Sequence, residues 1–120
     1  MFRKFGLVLI AVLLATPAWA AQNVLTWTDN STNEANFNIE RTTAADVAAC
    51  QTATGFTSLA SVGFNVATFT DAAVIEDTTY CYRVNASNTS GVSAFSNIAG
   101  RKVPLTIPAA PSGLGVSGGP

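Results

Sequence analysis

Hydrophobic and polar residues alternate along this chain in short segments, which are separated by runs of Gly, Asn, Asp and Ser. Alternation with a period of two places successive side chains on opposite faces, as in a half-buried β-strand, and the intervening residues favour turns. Helical periodicity is confined to the N-terminal segment and, weakly, to residues 44–49. The pattern therefore predicts an all-β domain, whose strands cover residues 24–28, 37–42, 57–62, 67–70, 79–86 and 93–100.

The alternation also predicts which side chains form the core. In the first two segments it directs Trp27 and Phe37 inward, and in the fifth it directs Tyr80 and Tyr82 inward. Cys81 lies between the two tyrosines and is therefore expected on the opposite face of its strand.

The N-terminus has the organisation of a secretory signal peptide. Basic residues precede an apolar run from Phe5 to Ala15, which is followed by Pro17 and by the small-residue sequence Ala18-Trp19-Ala20. We expect residues 1–20 to be cleaved and the product to be secreted, extracellular or periplasmic; the Ala-rich signal favours a bacterial source. Because the apolar run is shorter than the roughly 20 residues of a membrane-spanning helix, no membrane span is expected.

Removing residues 1–20 changes the charge balance. Four basic residues then remain beside seven carboxylates, a net charge of −3, and only Arg101 and Lys102 are adjacent. Binding to nucleic acid requires clustered positive charge, so no nucleic-acid partner is expected.

Two cysteines, Cys50 and Cys81, remain after cleavage. Thiols pair and persist in an oxidising compartment, so we expect a disulfide in an exported chain, and free thiols are the alternative. With no His and only two Cys, the chain lacks a zinc ligand set and a base for a thiol nucleophile.

No catalytic motif is found in the sequence. It contains neither a Gly-x-Ser-x-Gly elbow nor a phosphate loop nor a dinucleotide fingerprint. A glycosidase carboxylate pair would need a cleft that a single small sandwich rarely offers. The prediction is a protein without enzymatic activity, catalytic residues, metal or cofactor.

Several motifs in order resemble the fibronectin type III family, in the form common in bacterial exported proteins. They include Leu25-x-Trp27-x-Asp29, Phe37-x-Ile39-Glu40-Arg41, Thr79-Tyr80-x-Tyr82-Arg83-Val84 and Gly91-x-Ser93. The resemblance implies an immunoglobulin-like antiparallel β-sandwich with strands B, C, C′, E, F and G. It also implies that Tyr80 is the corner tyrosine and that Cys50 and Cys81 lie at the same pole.

The resemblance leaves strand A without its usual place, because only residues 21–23 separate the expected cleavage site from strand B. We therefore predict a domain of residues 21–103 with strand A missing. Residues 104–120 resemble a Pro- and Gly-rich linker and the opening strand of a further module. Leu114 and Val116 have the alternate spacing that an open strand edge requires, so self-association through strand exchange is a further expectation, and a disordered tail is the alternative.

Binding is expected on loops that the sandwich holds at one pole. A calcium site at the acidic loop is the alternative to ordinary turn chemistry, but the spaced-acid loop of a specific calcium site is missing. The candidate binding residues are Asp29, Asn30, Asn33, Glu34, Phe64, Asn88 and Thr89.

The sequence thus indicates a secreted interaction or spacer module that binds a protein or a carbohydrate. A fragment of a tandem-repeat extracellular protein is one form that such a module takes. The alternative is an accessory module of an exported carbohydrate-active enzyme.

Overall fold

A computed structural model describes residues 20–120, which form two antiparallel sheets and one short 3-10 helix. The predicted signal peptide, apart from Ala20, lies outside the described residues. The elements are β1 (Asn23–Thr26), β2 (Asn36–Ala44), the 3-10 helix (Ala48–Thr52), β3 (Thr57–Gly63), β4 (Thr68–Asp71), β5 (Thr79–Asn88), β6 (Gly91–Val92) and β7 (Ala99–Lys102).

The two sheets differ in size. The smaller consists of β1 and β4, whereas the larger has the order β3-β2-β5. Both β6 and β7 pair with β5: Asn88 faces Gly91 at one end of β5, and Thr79 faces Lys102 at the other. An all-β sandwich of antiparallel sheets is therefore confirmed, and within residues 20–120 no strand pairs with the second edge of β1.

The core lies between the two sheets and is supplied mainly by β2 and β5. The smaller sheet covers it with the partly buried side chains of Leu25, Trp27 and Phe69, and the ring centroids of Trp27 and Phe37 are 5.6 Å apart. Trp27 is thus a core residue, as predicted, although its side chain is less buried than that of Phe37. The buried cluster consists of Phe37, Ile39, Tyr80, Tyr82, Val84 and Val103.

The predicted strand 93–100 is wrong in its first part. Residues 93–98 lie outside any strand, and regular pairing resumes only in β7. The side-chain oxygens of Ser93 and Ser96 accept hydrogen bonds from the backbone N–H groups of Ala86 and Val84, at 2.9 and 3.0 Å. These hydroxyls take the place that carbonyl groups would occupy in a regular ladder, so the edge of the larger sheet becomes irregular.

The disulfide between Cys50 and Cys81 is confirmed, with a Cα–Cα distance of 5.4 Å. It joins the 3-10 helix to β5 across 31 residues of sequence, and both cysteines are fully buried. The helix passes over Gly100 of β7, where a Cβ atom would lie 2.6 Å from the Cys50 sulfur. Only a residue without a side chain fits at this crossing.

The chain leaves the sandwich after Val103. This residue is buried, its N–H donates to the carbonyl of Thr78, and every later residue is exposed. Thr106 donates its N–H and hydroxyl to the carboxylate of Glu76, which holds the first part of the tail beside the β4–β5 loop. The N–H of Ile75 in that loop donates to the hydroxyl of Tyr80 on β5 at 2.9 Å, so the corner tyrosine is confirmed.

No helix between Ala20 and Pro120 has the length and hydropathy that a membrane span requires.

Candidate binding surfaces

A buried polar network joins the two sheets at the end of the sandwich where β1 begins. The Tyr82 hydroxyl on β5 donates to the Asp71 carboxylate on β4 at 2.7 Å and accepts the Asn23 amide from β1 at 2.8 Å. Arg41 donates to the same carboxylate at 2.8 Å, and Arg101 donates to the Asn23 side-chain oxygen at 2.6 Å. These five side chains therefore close this end of the sandwich with hydrogen bonds.

The environment of the network shifts two ionisation equilibria. Burial opposes the ionisation of Asp71, but hydrogen bonds from Tyr82, Arg41 and the N–H of Ala73 outweigh it, and the pKa of Asp71 lies below its usual value. Burial and the neighbouring Asp71 carboxylate raise the pKa of Tyr82. The network is thus held together by an ionised carboxylate and a neutral phenol.

The second edge of β1 is open. The N–H of Trp27 donates to the carbonyl of Ala67 at 3.1 Å, which fixes the pattern of the antiparallel ladder between β1 and β4. Because ladder bonds alternate along a strand, Leu25 pairs with β4, and the backbone groups of Val24 and Thr26 point away from it. A row of unpaired backbone groups of this kind is a template for another strand.

Beside this edge lies a groove of about 780 Å³, which separates β1 from β7; we call it the edge groove. Leu25, Trp27 and Val84 line its apolar part, and Tyr82 and Arg101 line its polar end. The volume falls in the range of roughly 300–1,000 Å³ that is usual for ligand sites. The indole Nε1 of Trp27 is buried and has no hydrogen-bond partner among the described residues.

At the opposite pole, the loops that follow β1, β3 and β5 meet; we call this surface the loop pole. Glu34 is buried there, and its carboxylate accepts the Ser31 hydroxyl at 2.6 Å and the N–H of Asn65 at 3.1 Å. These hydrogen bonds lower the pKa of Glu34. Glu34 therefore joins two loops, and it also lines the cavity beside them.

The remaining candidate residues are brought only partly together. The Asn88 amide donates to the carbonyl of Asn33 at 3.1 Å, and both residues line a polar cavity of about 300 Å³. Phe64 is 59% exposed, and neither it nor Thr89 lines this cavity. Asn30 lines the edge groove instead.

The contacts of Asp29 show why an acidic residue occurs in this loop: it stabilises a turn. Its carboxylate oxygen accepts the N–H of Ser31 at 3.0 Å, two residues further along the chain. This is the Asx turn that Asp favours in loops. Among residues 20–120, no group of three potential metal ligands lies close enough to hold an ion.

The outer face of the larger sheet carries a stack that the sequence did not predict. Glu40 and Arg83 form an ion pair at 2.7 Å, and the Arg83 guanidinium also lies close to two aromatic rings. It is 4.3 Å from the centroid of Phe56 and 3.8 Å from that of Phe95. Phe56 and Phe95 lie outside the strands, so alternation could not reveal this contact.

The inter-sheet network was also missed. Asn23 and Asp71 lie at strand ends, where polar residues are ordinary, and alternation reports only the facing of Tyr82 and Arg41. The sequence did indicate that the hydroxyl of Tyr82 would need a hydrogen-bond partner, because the alternation predicts that this side chain is buried. Which residue supplies that partner depends on the packing of one sheet on the other.

No family model matches the sequence, and no curated protein is significantly similar to it. Solved structures share its fold. The sixth fibronectin type III domain of human fibronectin type III domain containing protein 3 aligns with a TM-score of 0.56 and 17% identity, over 78% of this chain and 81% of that chain. A structure of a myokine aligns with a TM-score of 0.54 and 19% identity, over 72% of this chain and 85% of that chain.

A pectate lyase from Pectobacterium carotovorum also contains this fold. It aligns with a TM-score of 0.56 and 24% identity over 80% of this chain, but over only 27% of the lyase. Together the matches show that the chain has a fibronectin type III-like fold.

Proposed function

We propose that this fibronectin type III-like module is a secreted interaction or spacer module without enzymatic activity. The observation that carries the proposal is that hydrogen bonds hold the loops of the loop pole together. Glu34 and Asn88 fix three loops against one another by hydrogen bonds, and Phe64 stands exposed beside them. Loops held by a rigid scaffold are where β-sandwich modules place their binding residues.

The proposed partner is a protein or a carbohydrate. Exposed asparagine and serine side chains around the polar cavity supply hydrogen-bond donors and acceptors, and Phe64 supplies an apolar contact. The signal-like residues 1–20 and the disulfide both support the proposal that the protein is secreted. Expression of the whole precursor in bacteria, followed by intact-mass analysis of the exported product, tests both. The expected mass is that of a chain that begins at Ala21 and contains the disulfide.

We further propose that the module comes from a tandem array, in which residues 104–120 are a linker and an opening strand. Reading the coding sequence downstream of Pro120 tests this proposal. Further sandwich modules are expected. A frame that encodes neither a module of this kind nor a hydrolase would contradict the array and its alternative together.

The alternative is an accessory module of an exported carbohydrate-active enzyme, and the pectate lyase match favours it because only part of that chain has this fold. Electrophoresis through native gels that contain polygalacturonate distinguishes the two. A module that is not accessory to a pectin-degrading enzyme should migrate at the same rate with and without the polymer. Retardation that Phe64→Ala abolishes and Ile75→Ala preserves would support the accessory module, since Ile75 is equally apolar, is 70% exposed and follows β4.

A further inference from the structure

We infer that the edge groove accepts residues 111–117 of a second copy of this chain as an added β-strand. The inference rests on the proposed interaction function and names one partner for it. The acceptor is the open edge of β1 with the apolar floor beside it, and the donor is the part of the exposed tail that contains Leu114 and Val116.

The acceptor offers both backbone and side-chain complementarity. Val24 and Thr26 present unpaired N–H and C=O groups along the edge, while the side chains of Leu25 and Trp27 point towards the core. A strand laid along β1 would alternate in the same way, with every second side chain entering the edge groove. Apolar side chains at alternate positions are therefore what the groove selects.

The donor has this pattern and makes no use of it within its own molecule. Leu114 and Val116 are 95% and 97% exposed, which is the most complete exposure among the large apolar side chains of residues 20–120. Gly115 lies between them and places no side chain on the outer face, and no proline occurs from Ser112 to Gly119. From Ser112 onwards, the segment can therefore supply an uninterrupted set of backbone hydrogen bonds.

One register satisfies both chains. If the donor runs antiparallel to β1, Leu114 lies opposite Trp27 and Val116 opposite Leu25, so both enter the apolar part of the groove. Gly115 then exchanges backbone hydrogen bonds with Thr26. A shift by two residues would bring Val116 against Asn23, which already belongs to the polar network, so the shifted register is less favourable.

The chain's own tail cannot reach this position. Thr106 is held by Glu76 beside the residues that follow β4, at the end of the sandwich where β1 begins. In this register an antiparallel donor must bring Ser112 opposite Asp29, which lies six residues beyond Asn23 and therefore up to about 20 Å away. Residues 107–112 span about 20 Å when fully extended, which leaves no length for the reversal. A second copy has no such restriction, and each copy carries both an acceptor and a donor.

Sedimentation velocity of the oxidised chain 20–120, from low to high micromolar concentration, tests the inference. We expect reversible, concentration-dependent association. The double variant L114S/V116S should weaken it by at least about tenfold, because full burial of one such side chain is worth about that factor. These side chains are exposed in the single molecule, so the variant cannot fail merely by unfolding.

The control is the double variant L105S/I107S, which removes two apolar side chains at the same spacing from the part of the tail held by Thr106 and Glu76. It should associate like the unchanged chain. A monomer at all concentrations, or an equal loss of association in both double variants, would overturn the inference.

Trp27 is the single tryptophan of residues 20–120 and lines the edge groove, so its fluorescence reports occupancy. The emission should change with concentration in parallel with sedimentation. An emission difference between the unchanged chain and L114S/V116S that does not depend on concentration would mean that a tail enters its own groove, which also contradicts the inference. The gel-retardation experiment tests binding at the loop pole. A monomeric protein would therefore contradict the strand-exchange inference without deciding the proposed function, which has its own test.

Discussion

The hydroxyl of Tyr82 donates a hydrogen bond to the carboxylate of Asp71 at 2.7 Å, and this contact joins the larger sheet to the smaller one. Both residues are buried, and the same hydroxyl accepts a hydrogen bond from Asn23. This polar contact and the apolar side chains of Leu25, Trp27 and Phe69 together hold the two-stranded sheet against the larger one.

The first prediction concerns Tyr82→Phe, which keeps the ring and removes the hydroxyl. Asn23 loses an acceptor and Asp71 loses a donor inside the protein, so the free energy of unfolding should fall by about 1–3 kcal/mol. Urea denaturation of the oxidised protein measures the change. A double-mutant cycle with Asp71→Asn should show coupling between the two positions, and strictly additive effects would contradict the contact.

The second prediction concerns acid. The folded-state pKa of Asp71 lies below its unfolded value of about 3.9, so its contribution to stability is present above that pH and is lost as the pH falls through the folded-state pKa. Urea melts at decreasing pH should show this loss. In Asp71→Asn the acid-dependent part should be smaller, because position 71 no longer takes up a proton, while Glu34 and Glu76 retain lowered pKa values. An unchanged pH dependence would show that Asp71 is not the group responsible.

Alternation in the sequence predicted the strands well because one face of each is buried. The inward positions predicted for Phe37, Tyr80 and Tyr82 all lie in the core. The prediction failed at residues 93–98, where Ser93 and Ser96 place side-chain oxygens in the hydrogen-bond ladder. The replacement of a carbonyl acceptor by a serine hydroxyl cannot be detected in the hydrophobic pattern, because the pattern indicates which side chains are buried and not which group accepts each hydrogen bond.

The third prediction uses the crossing of the 3-10 helix over β7. Gly100→Ala would place a Cβ atom 2.6 Å from the Cys50 sulfur, and the disulfide cannot move aside as a flexible side-chain end could. Overpacking of this kind should cost about 1–3 kcal/mol in thermal or urea unfolding. The control is Gly63→Ala, whose Cβ meets no atom within 4 Å, and its effect should stay below about 0.5 kcal/mol. Equal effects would contradict the close approach.

The fourth prediction separates stacking from charge on the outer face. Arg83→Lys keeps the positive charge beside Glu40 but loses the planar group between Phe56 and Phe95. The loss should be about 0.5–1 kcal/mol in urea denaturation. Glu40→Gln removes the half-exposed ion pair and should cost less. The opposite order would mean that the ion pair, and not the stack, stabilises this face.

The candidate site was predictable only in its location. The loops that carry Asn33, Asn88 and Phe64 follow from the strand order, which places them at one pole. The role of Glu34 did not follow, because a carboxylate in a loop is equally compatible with binding a ligand and with holding a neighbouring loop. Its contact with Asn65 joins residues 31 positions apart, and only the folded chain brings them together.

Arg101 donates hydrogen bonds to the carbonyl of Gln22 and to the side chain of Asn23, across 79 and 78 positions of sequence respectively. The beginning of the first strand and the end of the last one are therefore held side by side. A short peptide that joins residue 20 to the segment after Val103 would close the chain into a ring without moving a strand. The cyclised domain would lose conformational freedom only in its unfolded state, and new chain ends could be opened at the turn between Asn88 and Gly91.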